Sequence, residues 1–329
     1  MTDSNPNPNP NPNPKLPDDE LWAREVLSKL AFAAVTEQRR TRRWGIFFKL
    51  LFFAYLVLLL VLAWPDSLDT TTGGKRHTAL VRIDGLIASS TEASAKNVIE
   101  ALRKAFKDEK TAGVIVQINS PGGSPVQAGE VYDEIQRLRR KYPKIPVHAV
   151  ASDVCASGGY YIAAAAQNIY ANKASIVGSI GVRMDSFGFT DAIAKLGIER
   201  RAYTAGSNKD FLDPFKPVNP AEVQHLQGML DAIHQQFVAA VRQGRGERLK
   251  DNPEVFSGLM WTGEQSIDLG LVDALGDTRY VAEEVIGEKT VVDYTKRTRW
   301  VDRLLDGAEA SLGAALLSAL GIGGMVQWR

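Results

Sequence analysis

The sequence predicts an α/β protein with a parallel sheet, preceded by one transmembrane helix. Short apolar strands alternate with helices from Thr78 onward, which is typical of parallel sheets because each helix returns the chain to the edge where strands begin. Ahead of them, the 21 residues of 44–64 form an apolar run. As a helix this run would extend about 31 Å, close to the thickness of the hydrocarbon core of a bilayer. The 329 residues, 45% of them hydrophobic, suffice for one sizeable core and a second small unit.

The segment before the apolar run divides into two parts. Residues 1–17 contain an Asn-Pro repeat, whose prolines lack amide donors and force extended backbone, so we expect it to be disordered. Residues 18–43 place apolar side chains at helical spacing behind acidic ones. They predict a cytoplasmic amphipathic helix that ends in a basic flank.

The apolar run itself has the features of a membrane span. Trp44 and Trp64 fall where interfacial aromatic residues are expected, and Lys49 is close enough to one end to reach the interface. The alternatives are a buried core helix and a signal peptide, although a signal peptide would begin nearer residue 1. Four arginines precede the run and two aspartates follow it. Because basic flanks stay in the cytoplasm, we expect a single-pass protein of the bacterial inner membrane. Its N-terminus would be cytoplasmic and its main domain periplasmic or extracytoplasmic.

The rest of the sequence predicts a linker at 65–77, one α/β domain at 78–300 and an apolar C-terminal tail at 301–329. The tail carries Glu309 and five glycines, which favours an interfacial or oligomer-contact helix over a second membrane span. Within the domain the pattern predicts strands at 78–87, 112–119, 146–152, 175–182 and 199–206. Helices are predicted at 93–108, 126–141, after Ser157, at 189–197, from Ala221 to Arg242, and briefly within 261–277.

Composition argues against several classes of function. The net charge of +1 gives no reason to expect a nucleic-acid partner, and the single cysteine, Cys155, excludes an intrachain disulfide framework. The four histidines are scattered and no HExxH or cysteine pair is present. We therefore expect no metal and no cofactor.

Two glycine turns lie in corresponding positions, each after a strand and before a helix. In NSPGGS, Gly122 and Gly123 allow backbone N–H groups to approach a ligand, and in ASGGYY, Gly158 and Gly159 do the same beside Ser157. The carboxyl ends of neighbouring parallel strands are where open α/β sheets bind ligands. Two such donors aimed at one point would form an oxyanion hole. The alternative is that both turns are merely tight connections.

A nucleophilic Ser157 needs a base to accept its proton, and the histidines are poor candidates. His148 lies in an apolar strand pattern and reads as a satisfied strand residue, while His225 and His234 lie on the predicted long helix without a partnering motif. Cys155, two residues before the turn, is expected to be buried rather than reactive. The remaining option is a lysine.

The ordered motifs NSPGGS, ASGGYYIA, ASIVGSIGV, GSNKDF and WTGEQSIDLGLVD resemble those of the signal peptide peptidase A (protease IV) family of membrane serine proteases, in its short, single-domain form. The resemblance covers roughly residues 78–287 and does not extend to the Asn-Pro repeat or the tail. It implies a ClpP/crotonase-like fold of repeated ββα units and catalysis by a Ser–Lys dyad.

By this resemblance, Ser157 is the nucleophile, Lys209 the general base and Ser179 a residue that orients the lysine. The backbone of Gly123 and Gly158 would supply the oxyanion hole. Residues placed at the substrate-binding pocket are Gly122, Ser124 and Gly159.

Such a base imposes a physical requirement. A lysine with an ordinary pKa of about 10.4 is neutral in only about one molecule in 2,500 at pH 7, so a basic lysine must be desolvated by burial. Phe211, Phe215 and a bound apolar peptide could desolvate Lys209. Asp210 would stabilise the charged amine, so we predict that Asp210 points away into a structural hydrogen bond or ion pair.

The resemblance implies a homo-oligomeric, membrane-anchored endopeptidase that cleaves remnant signal peptides and other short apolar or unfolded segments. Its partners would be those peptides, the lipid bilayer and other copies of the chain. Ser157 and Lys209 are 52 residues apart, so the sequence leaves open whether the dyad forms within one chain or between two. The alternatives are a crotonase-type acyl-thioester enzyme and a non-catalytic membrane scaffold.

Overall fold

A computed structural model of the chain describes residues 18–63 and 75–296. The Asn-Pro repeat, most of the linker and the apolar tail lie outside the described residues, as does Trp64. Contacts divide the chain into two units, one on each side of the bond between Asp69 and Thr70.

The first unit contains one continuous helix, α1 (Asp18–Ala63). The amphipathic segment and the apolar run, predicted as separate elements, therefore belong to a single helix. Between residues 42 and 59 every side chain of α1 is exposed. Across residues 18–63 and 75–296, no helix combines the length and the apolar character needed to cross a membrane.

The second unit is a mixed α/β domain built around one sheet, as the sequence predicts. Its first half alternates strands and helices: β1 (His77–Asp84), α2 (Ala95–Lys107), β2 (Thr111–Ser120), α3 (Pro125–Lys141), β3 (Val147–Ala156) and α4 (Gly158–Ala163). Its second half contains β4 (Asn168–Ala171), β5 (Ile176–Gly178), α5 (Thr190–Lys195), α6 (Pro220–Arg245), β6 (Met260–Thr262), α7 (Gly263–Asp268), β7 (Ala274–Leu275), α8 (Thr278–Tyr280) and β8 (Val291–Asp293). A π-helical turn, Val281–Ile286, continues α8.

The strands are hydrogen-bonded in the order β6-β5-β3-β2-β1-β8, and β4 joins β3 to β7. Every described pairing is parallel except that of β5 with β6. Strand β3 is shared, since its first half pairs with β4 and its last three residues with β5. The ends of β2, β3 and β5 therefore meet at one edge of the sheet.

Both faces of the sheet are covered, which explains the nearly unbroken apolar run of β2. The larger core lies between the sheet and the helices α2, α3, α4 and the C-terminal half of α6. A smaller core on the other face packs Leu80, Ile115 and Val150 against Val281 and Ala282.

The end of α6 is fixed by a buried ion pair. The guanidinium of Arg245, 1% exposed, donates to both carboxylate oxygens of Asp273 at 2.8 and 2.9 Å and to the carbonyl of Gly270. Burial acts to raise the pKa of Asp273, but the hydrogen bonds and charge of Arg245 outweigh it and hold that pKa below its usual value. Arg248 also bonds to Asp273. This pair locks the C-terminal end of α6 to the loop that follows α7.

One predicted strand is wrong. Residues 199–206 form no strand and are exposed, because this stretch lies in an excursion between β5 and α6 where no neighbouring strand offers a pairing edge. The predicted strand at 175–182 shortens to β5, and the short strands β4, β6, β7 and β8 were not predicted.

Candidate active site

Ser157 lies at the end of β3, in the bend that leads into α4. Its backbone has φ 50° and ψ −124°, a conformation that normally favours glycine. The amide of Ser157 donates to the carbonyl of Gly178 at 2.9 Å, and its carbonyl accepts from Tyr161. Its side chain is partly exposed and makes no capping bond. A strained, accessible hydroxyl at the carboxyl edge of a sheet has the geometry of a nucleophile.

The NSPGGS turn lies directly against this bend. Gly122 has φ +102°, and a Cβ placed on it would lie 2.7 Å from both the amide nitrogen of Gly158 and the Cβ of Ser157. Gly123 has φ +148°, and a Cβ there would overlap the carbonyl oxygen of Ile87. Only glycine permits this close approach at either position.

The two amides predicted as an oxyanion hole lie on neighbouring chain segments. An ideal Cβ on Gly158 would be 3.4 Å from the amide nitrogen of Gly123, so the two residues are adjacent. Within residues 75–296, neither amide donates a hydrogen bond to another protein group. Gly158 is the first residue of α4, where the amide has no intrahelical acceptor. The arrangement can therefore offer two N–H groups to one negatively charged oxygen.

Two of the residues predicted for substrate binding, Ser124 and Gly159, have different surroundings. Ser124 is partly exposed at the start of α3, where its hydroxyl accepts from the amide of Gln127. Gly159 is buried, and its Cα faces Ser120 and Ile118. The structure therefore places Gly159 in the packing between α4 and β2 and away from the surface of the site.

Ser179 follows β5 as Ser157 follows β3. Ala156 pairs with Gly178, so the two serines stand side by side, and both have positive φ, 50° and 51°. The amide of Ser179 donates to the carbonyl of Leu259. Ser179 is thus close enough to the nucleophile's bend to contact a group that approaches Ser157.

Lys209 is not brought to Ser157 within this chain. It is exposed in the excursion of residues 181–219, and within the described part of the chain no hydrogen bond joins it to either serine. Two residues on, the ring of Phe211 lies 5.7 Å from that of His225 on α6. Farther along α6, the ring of Phe237 packs on Tyr161 beside the site. His225 and Phe237 are twelve residues apart, which corresponds to about 18 Å along the helix.

The excursion packs on itself rather than around Lys209. The ring of Phe215 contacts Phe189 and the guanidinium of Arg200, so the expected desolvation of Lys209 by Phe211 and Phe215 is not provided by the single chain. Asp210 pairs with Lys216. This confirms the prediction that Asp210 is held in a structural ion pair.

The other candidate groups are placed away from chemistry. Cys155 is buried, and burial raises the pKa of its thiol to about 12, which confirms that it is a core residue. His148 is a buried strand residue whose burial lowers its pKa. Its Nδ1 has no hydrogen-bond partner among the described residues, so the expectation that it is satisfied is wrong. His234 contacts the carbonyl of Ile180 through Nε2.

Sequence reasoning missed two residues that shape the site. The hydroxyl of buried Ser120 accepts from the amide of Gly122, and Ile87 forms a parallel bridge with Gly123. Ser120 is part of the NSPGGS motif and could have been found there. Ile87 could not, because its pairing is long-range. Over the described ranges, no group of three acidic, histidine or cysteine side chains could hold a metal ion.

The similarity to known proteins includes the α/β domain. The family model "Peptidase family S49" matches residues 139–291. The putative protease slr0021 of Synechocystis is 32% identical over 271 residues, which cover 80% of this chain and 94% of that protein. A putative signal peptide peptidase SppA of Enterococcus faecium is 27% identical over 237 residues, covering 69% of this chain and 68% of that protein.

A Brucella abortus protein named Na(+)/H(+) antiporter NhaA is 47% identical over 188 residues. The match covers 57% of this chain and 25% of that protein. The chain therefore spans about a quarter of the length of that relative.

Proposed function

The chain belongs to peptidase family S49, a family of serine proteases, and we propose that it is an endopeptidase in which Ser157 attacks the peptide carbonyl. The observation that carries the proposal is the strained Ser157 beside two amides, those of Gly123 and Gly158, that have no acceptor in the described chain. The attacking hydroxyl gives its proton to a base and forms an acyl-enzyme, which water then hydrolyses. The amides stabilise the oxyanion of both tetrahedral intermediates.

We propose that the base is Lys209 and that it comes from a neighbouring copy of the chain. In one chain Lys209 is exposed, whereas a lysine base must be desolvated to be neutral near pH 7. A partner surface would supply that burial. Ser179, next to Ser157, would accept a hydrogen bond from the arriving amine.

The excursion that carries Lys209 has the character of an interface. Its exposed large apolar side chains are Met184, Phe187, Phe189, Leu196, Ile198, Tyr203 and Val218. Monomeric proteins rarely leave so many large apolar side chains exposed on one segment. A contact in which the excursion of one copy covers the Ser157 edge of the next is head-to-tail, and closes into a ring if the rotation permits.

We further propose that the fold is ClpP/crotonase-like and that residues 44–64 anchor the chain in a membrane with the α/β domain outside the cytoplasm. The apolar side chains of α1 between Trp44 and Leu59 are exposed, which a lipid environment would accommodate. The substrates would be signal peptides released in the membrane and other short apolar or unfolded segments. The Enterococcus faecium relative is named a putative signal peptide peptidase, which supports this substrate class.

Hydrolysis of a fluorogenic signal-peptide analogue by the full chain in detergent tests the reaction. Ser157→Ala and Lys209→Ala should each lose activity, whereas Lys195→Ala, a change at another exposed lysine of the excursion, should retain it. An inactive wild type would overturn the protease proposal and favour a scaffold. Full activity in either dyad variant would overturn the assignment of that residue.

Mixing the two inactive variants tests where the dyad forms. If the serine and lysine come from different copies, a 1:1 mixture that exchanges subunits should regain about a quarter of wild-type activity, because one site in four combines an intact Ser157 with an intact Lys209. If the dyad forms within one chain, no mixed subunit is competent and the mixture stays inactive.

A further inference from the structure

A basic groove lies between α2 and α3, on the helical side of the sheet. Its volume is about 610 Å³. Its floor contains the partly or fully buried apolar side chains of Ile99, Leu138 and Tyr142. Its rim carries the cationic side chains of Lys96, Arg103, Lys104, Lys107, Arg137 and Lys141.

Internal ion pairs account for only part of this charge. Glu134 forms ion pairs with Arg103 at 2.8 Å and Arg137 at 2.6 Å. The hydrogen bonds from these arginines, chiefly Arg137, lower the pKa of Glu134 to about 2. Glu100 forms ion pairs with Lys104 at 3.0 Å and Lys296 at 2.8 Å.

Three rim lysines remain without a carboxylate partner within residues 75–296: Lys96, Lys107 and Lys141. All three are exposed, and the ammonium of Lys141 lies over the ring of Tyr142. The groove therefore keeps a surplus of positive charge above an apolar floor. This combination suits a ligand that has an anionic head and an apolar body.

The chain enters and leaves the described domain beside this groove. The amide of His77, the first residue of β1, donates to the carbonyl of Lys110 just beyond α2. At the other end of the domain, Lys296 bonds to Glu100 on the groove wall. In the sequence, His77 follows the apolar run after only twelve residues, 65–76, which can extend at most about 40 Å.

We propose that this groove docks on the anionic phospholipid headgroups of a bilayer. The proposal rests on the membrane anchoring proposed above, because a short tether keeps the groove at high effective concentration next to the lipid surface. Basic side chains near an anionic leaflet gain electrostatic attraction that falls off within a Debye length. A soluble acidic partner would lack this tethering advantage.

Docking of this kind leaves the candidate active site open. Lys107 and Lys141 are at the C-terminal ends of α2 and α3, near the edge where the parallel strands begin. Ser157 is at the opposite edge, and the ten residues of β2 separate the two edges by about 33 Å. The docked domain would hold Ser157 away from the headgroups, so that a substrate must leave the bilayer to be cut.

Cysteine labelling of the full chain in lipid nanodiscs tests the proposal. Lys144→Cys places a thiol on the exposed turn just after α3. Glu264→Cys serves as the matched control, because it is exposed on α7, which follows β6 at the opposite end of the strand order from β1. The native Cys155 is buried and should not interfere. An uncharged maleimide should label the cysteine at 144 at least about fivefold more slowly in discs containing phosphatidylglycerol than in phosphatidylcholine discs. The cysteine at 264 should react equally in both.

Two further measurements identify the cause of the protection at position 144. High salt, or the double change Lys96→Gln and Lys141→Gln, should abolish the protection at position 144, whereas replacing both lysines by arginine should keep it. Equal labelling rates at position 144 in the two lipids would overturn the proposal. So would protection that appears in phosphatidylcholine discs only after a soluble acidic polymer is added.

Failure of the underlying anchoring would look different. If the chain does not enter phosphatidylcholine discs at all, the membrane span is wrong. Entry without lipid-dependent protection overturns only the docking groove. Peptidase activity, measured on a soluble peptide in the same discs, reports separately on the Ser157 site.

Discussion

Gly122→Ala should disable the candidate active site through a contact that can be measured in the structure. The new Cβ would lie 2.7 Å from the amide nitrogen of Gly158 and from the Cβ of Ser157. An ordinary contact needs about 3.4 Å or more, so Ser157 and Gly158 would have to move by roughly 0.7 Å. Displacements of about 1 Å can reduce catalysis about 100-fold, and we expect a loss of that order in kcat/KM.

The same substitution should reduce stability. Alanine at φ +102° is strained by about 1 to 2 kcal/mol, and the overlap adds about 1 to 2 kcal/mol. The free energy of unfolding should therefore fall by about 2 to 4 kcal/mol, measured by urea denaturation of the full chain in detergent.

Gly129→Ala is the matched control. Gly129 lies within α3, and a Cβ there has no other atom within 4 Å. Alanine should stabilise the helix by up to about 1 kcal/mol and leave hydrolysis unchanged. If Gly122→Ala kept kcat/KM within about threefold of wild type and behaved like Gly129→Ala in urea, the proposed contact between the glycine turn and the nucleophile would be refuted.

Three other perturbations give separate expectations. Ser157→Gly should abolish hydrolysis yet raise the free energy of unfolding by about 1 kcal/mol, since glycine relieves the strained backbone. Urea titration compares it with Ser157→Ala, which keeps the strain. Equal stability of the two variants would contradict the proposed strain. Arg245→Met should cost about 3 kcal/mol at pH 7 by leaving the buried Asp273 carboxylate short of a partner. Because the pair lowers the pKa of Asp273 in the folded wild type, its stabilisation is complete above the ordinary aspartate pKa of about 4 and is lost as pH falls below it. The difference between wild type and Arg245→Met should therefore shrink in acid, and a pH-independent difference would contradict the pair. Cys155 should resist maleimide at pH 8 until urea unfolds the domain, and rapid labelling of the folded chain would show that the thiol is accessible.

Much of the domain follows from local sequence. The strand and helix pattern from Thr78 to Lys141 is confirmed because apolar periodicity and the burial it requires are properties of short contiguous segments. The strand expected at 199–206 is wrong for the complementary reason. Its residues could form a strand, but a strand needs an edge to pair with, and the position of that segment relative to the sheet is not a local property.

The sequence by itself determined the glycine turns, the serine between them and the apolar run, because each depends on residue types within one short stretch. Tertiary structure alone decided that Ile87 bridges to Gly123, that Ser179 stands beside Ser157 and that Gly159 faces the core. It also decided that Lys209 is exposed in the excursion that precedes α6. These relations join segments distant in the chain, and only the packing of strands and helices sets the distances between them.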